Sequence, residues 1–255
     1  MSMEQVNTGL VIQNLSKTFY HANGYFTAVE DVSFRLKDGE FLVLLGPGRC
    51  GKTVLLNMIA GIEEKTSGYI FYNGQEKTGP HPDFGMVFQS LALMPYKTVM
   101  ENVELPLKLR GVKKTERRLV AQHYIQLVGL NGFEKSYPHQ LSGGMKQRVG
   151  IARAYAADPK VLIMDEPFGQ LDAQTRYFMQ NEILRIWEAE KRTVIFVTNN
   201  IEEACYLGDR IILLSDYPAK VKAVYEISLT KPLDMVSPEF LAIRTTISEQ
   251  TDLAI

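Results

Sequence analysis

The chain has 255 residues, with 28 Lys and Arg against 29 Asp and Glu, so its formal net charge is −1. A hydrophobic fraction of 45% with 22% charged residues is ordinary for a globular protein of roughly one to two domains and excludes a disordered or collagen-like chain. The balanced charge argues against a dedicated nucleic-acid binder, which carries a basic excess. The longest apolar run, Phe41 to Leu45, is far shorter than the about 20 residues that cross a bilayer.

The opening MSMEQVNTGL has neither a basic n-region nor an apolar h-region, so no signal peptide is expected. Leu10 to Ile12, Ala28 to Phe34 and Glu40 to Leu45 read as strands, rich in Val, Phe and Leu and broken by Gly and Asp. The last of these is continuously apolar, as a strand buried on both faces of a parallel sheet must be. A glycine-rich turn follows, then a helix over Lys52 to Ile62. From about Ser90 to Gly150 helix formers dominate, including Thr115 to Val128, which stops at Gly129. Buried strands are expected at Val161 to Met164 and Thr193 to Val197, with helices at Gln174 to Lys191 and Pro238 to Ile247. The pattern predicts an α/β core interrupted by a helical insert. Two cysteines, Cys50 and Cys205, read as free thiols of a reducing cytosol. His21, His81, His123 and His139 show no metal-ligand spacing.

Gly46-Pro-Gly-Arg-Cys-Gly51-Lys52-Thr53 matches G-x-x-x-x-G-K-[ST] between a buried strand and a helix. Glycines there let backbone N–H groups turn inward as an anion nest, and the helix N-terminus adds its positive end. Lys52 is expected at the β- and γ-phosphates of a nucleotide, and the Thr53 hydroxyl on Mg²⁺. The acidic partner is expected at the end of Val161-Leu-Ile-Met-Asp165-Glu166. Asp165 would hold Mg²⁺ directly or through water, and Glu166 would act as general base on the attacking water.

Leu141-Ser-Gly-Gly-Met-Lys-Gln-Arg148, 13 residues before Val161, resembles the LSGGxxQR signature of ATP-binding cassette (ABC) ATPases. The resemblance implies that Ser142, Gly143 and Gly144 bind the γ-phosphate of a nucleotide held by a second ABC ATPase subunit. It covers Leu10 to about Ile247. It implies a P-loop NTPase core with a mixed sheet, an N-terminal antiparallel β portion and an inserted helical subdomain. Its division of 1–255 gives a core at 1–89 and 151–228, a helical subdomain at 90–150 and a tail at 229–255. Position by position, Gln89 matches the Q-loop residue that touches Mg²⁺, and Asp172 matches the D-loop across the dimer. Phe19 matches the aromatic that stacks on adenine, with Tyr20 as its rival. Gly79 to Gln89, Pro167 to Asp172, the Leu214-to-Pro232 region and Ser237 to Arg244 are similar to the nitrate/sulfonate/taurine importer ATPases. The implied cofactors are ATP and Mg²⁺. The implied partners are a like or paralogous ATPase subunit, transmembrane permease subunits that dock near Leu91 to Tyr96, and a solute-binding protein acting through the permease, with no nucleic acid. The implied location is the cytoplasmic face of a bacterial plasma membrane, held peripherally. DNA-repair and translation ABC proteins are the rival class, but the long coiled-coil inserts or paired cassettes usual there are not seen in this sequence.

Four positions depart from the pattern. Gly48 and Arg49 replace a Ser-Gly pair, and Val54 replaces a hydroxyl whose hydrogen bond to the α-phosphate is worth about 0.5–1.5 kcal/mol. Asn199, in Val197-Thr-Asn-Asn200, replaces the H-loop histidine, which contacts the γ-phosphate. Asn199 can hydrogen bond but can neither carry charge nor shuttle a proton. Pro47 and Cys50 complete the loop, and a cysteine at position 50 is usual there and implies no redox role.

Overall fold

The computed structural model describes residues 9–22, 24–89, 92–169, 171–229, 231 and 233–251. In chain order the elements are β1 (Leu10–His21), β2 (Gly24–Leu36), β3 (Phe41–Leu45), α1 (Lys52–Ala60), β4 (Ser67–Tyr72), β5 (Gln75–Glu76) and β6 (Phe84–Val87). Then come α2 (Val99–Val103), α3 (Leu105–Leu109), α4 (Lys114–Leu127), α5 (Gly143–Ala156), β7 (Val161–Asp165) and α6 (Ala173–Glu190). The chain closes with β8 (Thr193–Thr198), α7 (Ile201–Leu207), β9 (Arg210–Leu214), β10 (Val221–Glu226) and α8 (Pro238–Ser248). None of these helices is long and apolar enough to cross a membrane.

The chain forms two compact units, one of Met1–Pro82 with Lys191–Ile255 and one of Asp83–Glu190. In the first unit, β10, β9, β3 and β8 lie in that order. β3 is parallel to both β8 and β9, and β10 is antiparallel to β9. All five residues of β3 and all six of β8 are buried. That explains their unbroken apolar character and why they were legible as parallel-sheet strands. A second, antiparallel sheet runs β2-β1-β4-β5. Its strands β1 and β2 are longer than the expected Leu10–Ile12 and Ala28–Phe34, because their outer halves are half-exposed to exposed and mix aromatic residues with Ser, Lys, Thr and Gly instead of carrying a longer apolar run. The pairing shifts register between Ile12 and Leu15. There Asn14 and Asp31, at φ 48 and 52, lock the irregularity through a 2.7 Å side-chain hydrogen bond.

The second unit holds the parallel pair β6–β7 and the helices α2 to α6. Helices α2, α4 and α5 pack on one another. The α5 helix runs on to Ala156, past the change of composition at Gly150. The division by contacts falls at Pro82/Asp83 and Glu190/Lys191, so β6 and β7 group with the helices. The predicted helix from Lys52 stops at Ala60 rather than Ile62, because Gly61 takes φ 83 and closes on the backbone of Gly79. A Cβ at Gly61 would lie 2.2 Å from the Gly79 carbonyl carbon, so the position admits only glycine.

Candidate nucleotide-binding site

The phosphate loop is aimed by β3 and its neighbour β8. Leu45 faces Thr198 in register, and the next residue, Gly46, donates its N–H to the Thr198 carbonyl at 3.4 Å. The loop then closes over Gly51, at φ 120, where a Cβ would sit 2.4 Å from the Ala28 oxygen. Lys52 opens α1 and is buried; its ammonium donates to the carbonyls of Gly46 (2.8 Å) and Pro47 (2.6 Å). The first turn of α1 has neither a side-chain cap nor an acidic residue. Its orphan N–H groups and the adjoining ammonium therefore suit an anion such as a polyphosphate. Thr53 is exposed in that turn, Val54 is half-buried beside it, and Cys50 is buried below the loop, its thiol pushed up in pKa by burial. Beside Gly48 there is open space. Arg49 is exposed and takes φ 65, a left-handed conformation that costs a residue with a Cβ about 1–2 kcal/mol.

The turn after β8 is built by hydrogen bonds. The Thr198 hydroxyl donates to Glu203 Oε2 at 2.6 Å and accepts from the Asn200 N–H at 3.0 Å. Asn200 Oδ1 accepts from the Glu203 N–H at 2.8 Å and so caps α7. Of the two adjacent asparagines, Asn200 is a cap and Asn199 is the exposed one.

In the second unit, Asp165 ends β7 with 2% exposure. Glu166 follows at φ 43, half-buried. Gln89, past the end of β6, lies with Nε2 3.5 Å from Glu166 Oε2, so this unit brings Gln89 and Glu166 together. Ser142 caps α5 by accepting from the Met145 N–H at 3.2 Å. Its hydroxyl proton remains able to donate to a phosphate. Gly143 faces open space, while a Cβ at Gly144 would press on Leu171 at 3.2 Å. Asp172 accepts from the Thr175 N–H (2.9 Å) and hydroxyl (2.8 Å); these bonds hold its pKa down, and it caps α6. Gln170 of the D-loop lies outside the described residues, as does Leu91 of the docking segment.

Phe19 is half-buried and already engaged: its ring stacks on Phe26 at 5.0 Å, and Lys17 Nζ lies 4.7 Å from its centroid. Tyr20 is 75% exposed and pairs with Tyr25.

Three residues were not singled out from the sequence. Asn102, fully buried, accepts from the Met94 N–H at 2.8 Å and shares its amide protons among the carbonyls of Met94, Lys97 and Thr98. It pins the segment after the Q-loop. Arg148 donates to the carbonyls of Val128 and Gly129 and ties the end of α4 to α5, a structural task inside the signature. Arg153 donates to the Ala92 carbonyl at 2.7 Å. A polar residue inside an apolar helix face was the one signal that pointed to Asn102.

The donor set also speaks to a metal. Among the described residues no three His, Cys, Asp or Glu side chains could hold an ion by themselves. Within the second unit the buried Asp165 carboxylate and the Gln89 amide oxygen are donors of the kind that suits Mg²⁺, which takes few protein ligands and completes its shell with phosphates and water.

A glycine-rich loop leading from a buried parallel strand into an uncapped helix, with a lysine turned back into the loop, defines a phosphate-loop ATPase. Residues 29–169 match the family model described as ABC transporter. The chain is 46% identical over 244 residues to an uncharacterized ABC transporter ATP-binding protein of Methanocaldococcus jannaschii, covering 96% of this chain and 91% of that protein. It is 41% identical over 239 residues to the aliphatic sulfonates import ATP-binding protein SsuB of Bacillus anthracis, covering 94% of each. Among solved structures, a dimeric ABC transporter cassette superposes with a TM-score of 0.79 at 31% identity over 87% of this chain and 100% of that one. The same cassette in a post-hydrolysis state with ADP and Pi gives 0.78 at 30% identity, with the same coverage. The chain belongs to the ABC transporter family: it is an ATP-binding subunit with the ABC ATPase fold.

Proposed function

We propose that this subunit energises an ABC importer for a small anionic solute of the nitrate, sulfonate or taurine kind. The observation that carries the reading is the 41% identity to a sulfonate-import ATPase across 94% of both chains. ATP clamps two such domains head to tail, each phosphate loop facing the other chain's Ser142, Gly143 and Gly144. Gly46 to Val54 hold the phosphates, with Lys52 at the β/γ end. Thr53, Gln89 and Asp165 supply oxygens suited to Mg²⁺, which neutralises phosphate charge when bound. Glu166 takes the proton of the attacking water. Asn199 orients groups near the γ-phosphate by hydrogen bonding alone. Asp172 borders the dimer contact, and Phe19 or Tyr20 stacks on adenine.

The partners are a second ABC ATPase subunit, the transmembrane permease subunits and, through them, a solute-binding protein. The subunit acts peripherally at the cytoplasmic face of a bacterial plasma membrane. Support for permease docking comes from an apolar cavity of about 330 Å³ lined by Met86, Phe88, Ala92, Met94 and Leu109 among others, with Leu109 79% exposed. Purification from the source cells followed by mass spectrometry tests the reading. Permease subunits and a solute-binding protein should co-purify, and deletion should abolish uptake of a labelled sulfonate. Undiminished uptake of sulfonate, taurine and nitrate would overturn the solute class.

Asn199 favours a second reading, in which hydrolysis is impaired and the chain pairs with an active paralogue. The departures at Gly48, Arg49, Val54 and Asn199 all lie on the phosphate-loop half, whereas Leu141 to Arg148 match the signature. A heterodimer would then have one weakened site and one full one.

A further inference from the structure

We propose that Arg49 contacts the γ-phosphate, so that the phosphate loop itself supplies the second cation of the site and offsets the uncharged Asn199. The proposal rests on the reading of Gly46 to Val54 as a nucleotide loop.

The γ end of that loop can be located from two contacts. A lysine at position 52 of this motif reaches the β- and γ-phosphates, and the Lys52 ammonium lies on the carbonyls of Gly46 and Pro47. The γ end is therefore the Gly46–Pro47 flank. The same flank adjoins the end of β8, because Gly46 donates to the Thr198 carbonyl. Asn199, the next residue, is exposed there and is neutral at every working pH.

A triphosphate concentrates several negative charges at this flank, and across Gly46 to Val54 the only cations are Lys52 and Arg49. Arg49 follows Gly48, beside which the space is open. Its side chain is exposed, and among the described residues no hydrogen bond or ion pair engages its guanidinium. A guanidinium is charged at all working pH and meets phosphate oxygens with two parallel N–H donors. The backbone at Arg49 is held at φ 65, where glycine fits without strain. A residue held against its own conformational preference, with its charged end unengaged beside an anion nest, is explained if that charge is used on the anion. The Val54 departure is different: it removes a hydroxyl and adds no charge.

The test measures Mg-ATP and Mg-ADP affinities of the full chain by calorimetry for wild type, Arg49→Gly, Arg49→Lys and Asn199→His, alone and combined. Arg49→Gly should weaken ATP by about tenfold or more and ADP far less, while raising the thermal midpoint because the backbone strain is relieved. Arg49→Lys should retain part of the ATP preference. In the Asn199→His background Arg49→Gly should cost less, and ATP binding should acquire a pH dependence near the histidine range of about 6 to 7. A raised midpoint with an unchanged ATP-to-ADP ratio would overturn the proposal, leaving Arg49 as tolerated strain. Tighter ATP binding by Arg49→Gly would overturn it too, since the arginine would then crowd the loop. Lys52→Ala serves as the reference. If that variant binds both nucleotides as wild type does, the reading of the loop fails, irrespective of Arg49.

Discussion

The ammonium of Lys52 sits 2.6 Å from the carbonyl oxygen of Pro47, a contact inside a six-residue turn that leads from β3 into α1. The buried cation is folded onto its own loop, ready to exchange neutral carbonyl partners for phosphate oxygens. With phosphate oxygens the ammonium meets full opposite charge, which the neutral carbonyls do not offer. Lys52→Ala should therefore cost tenfold or more in Mg-ATP affinity by calorimetry. Equal affinity would remove the phosphate-loop assignment.

Asn102→Ala should destabilise the protein by roughly 1–3 kcal/mol, since it takes the acceptor from a part-buried N–H at Met94 and a side-chain donor from the carbonyls of Met94, Lys97 and Thr98. Urea unfolding measures this. If the segment after the Q-loop couples to a permease, the same variant should lose transport-coupled turnover while retaining ATP binding. A variant with unchanged unfolding midpoint would show that the amide is not a latch.

The thiols give a pH prediction. Burial pushes Cys205 up to about 12 from an ordinary 9.0. Between those values the unfolded state releases the proton first, so it binds fewer protons than the folded state, and stability falls as pH rises from about 9 to 12. Below pH 9 the contribution is fully present. Cys205→Ala should flatten this part of the pH–stability profile. In native protein at pH 8, a thiol-disulfide reagent should label Cys205 far more slowly than in denatured protein. Labelling at the denatured rate would contradict its burial.

Much of the fold was legible because the parallel core announces itself: Phe41 to Leu45 and Thr193 to Val197 are apolar without interruption since both faces are covered. The phosphate loop was legible because its glycines and lysine have a fixed spacing. The strands β4 and β5 were missed, as Ser67-Gly-Tyr-Ile-Phe-Tyr72 begins on Ser-Gly and then runs through four apolar residues with no polar alternation to mark its partly exposed face. Helix α7 was missed because seven residues are too few to show a helical period. Local spacing also cannot divide labour between neighbours. The capping roles of Asn200 and Asp172, and the pinning of α4 by Arg148, depend on which backbone groups happen to lie opposite. The ring packing of Phe19 against Phe26 comes from the pairing of β1 with β2, which no motif encodes.

The most direct measurement of the central claim is steady-state phosphate release from the assembled transport complex at saturating Mg-ATP, wild type against Glu166→Gln. The substitution keeps shape and hydrogen bonding near Gln89 but removes the base. Turnover should fall by roughly 10²-fold or more while ATP binding persists and an ATP-bound dimer accumulates. Wild-type turnover by Glu166→Gln would contradict the account.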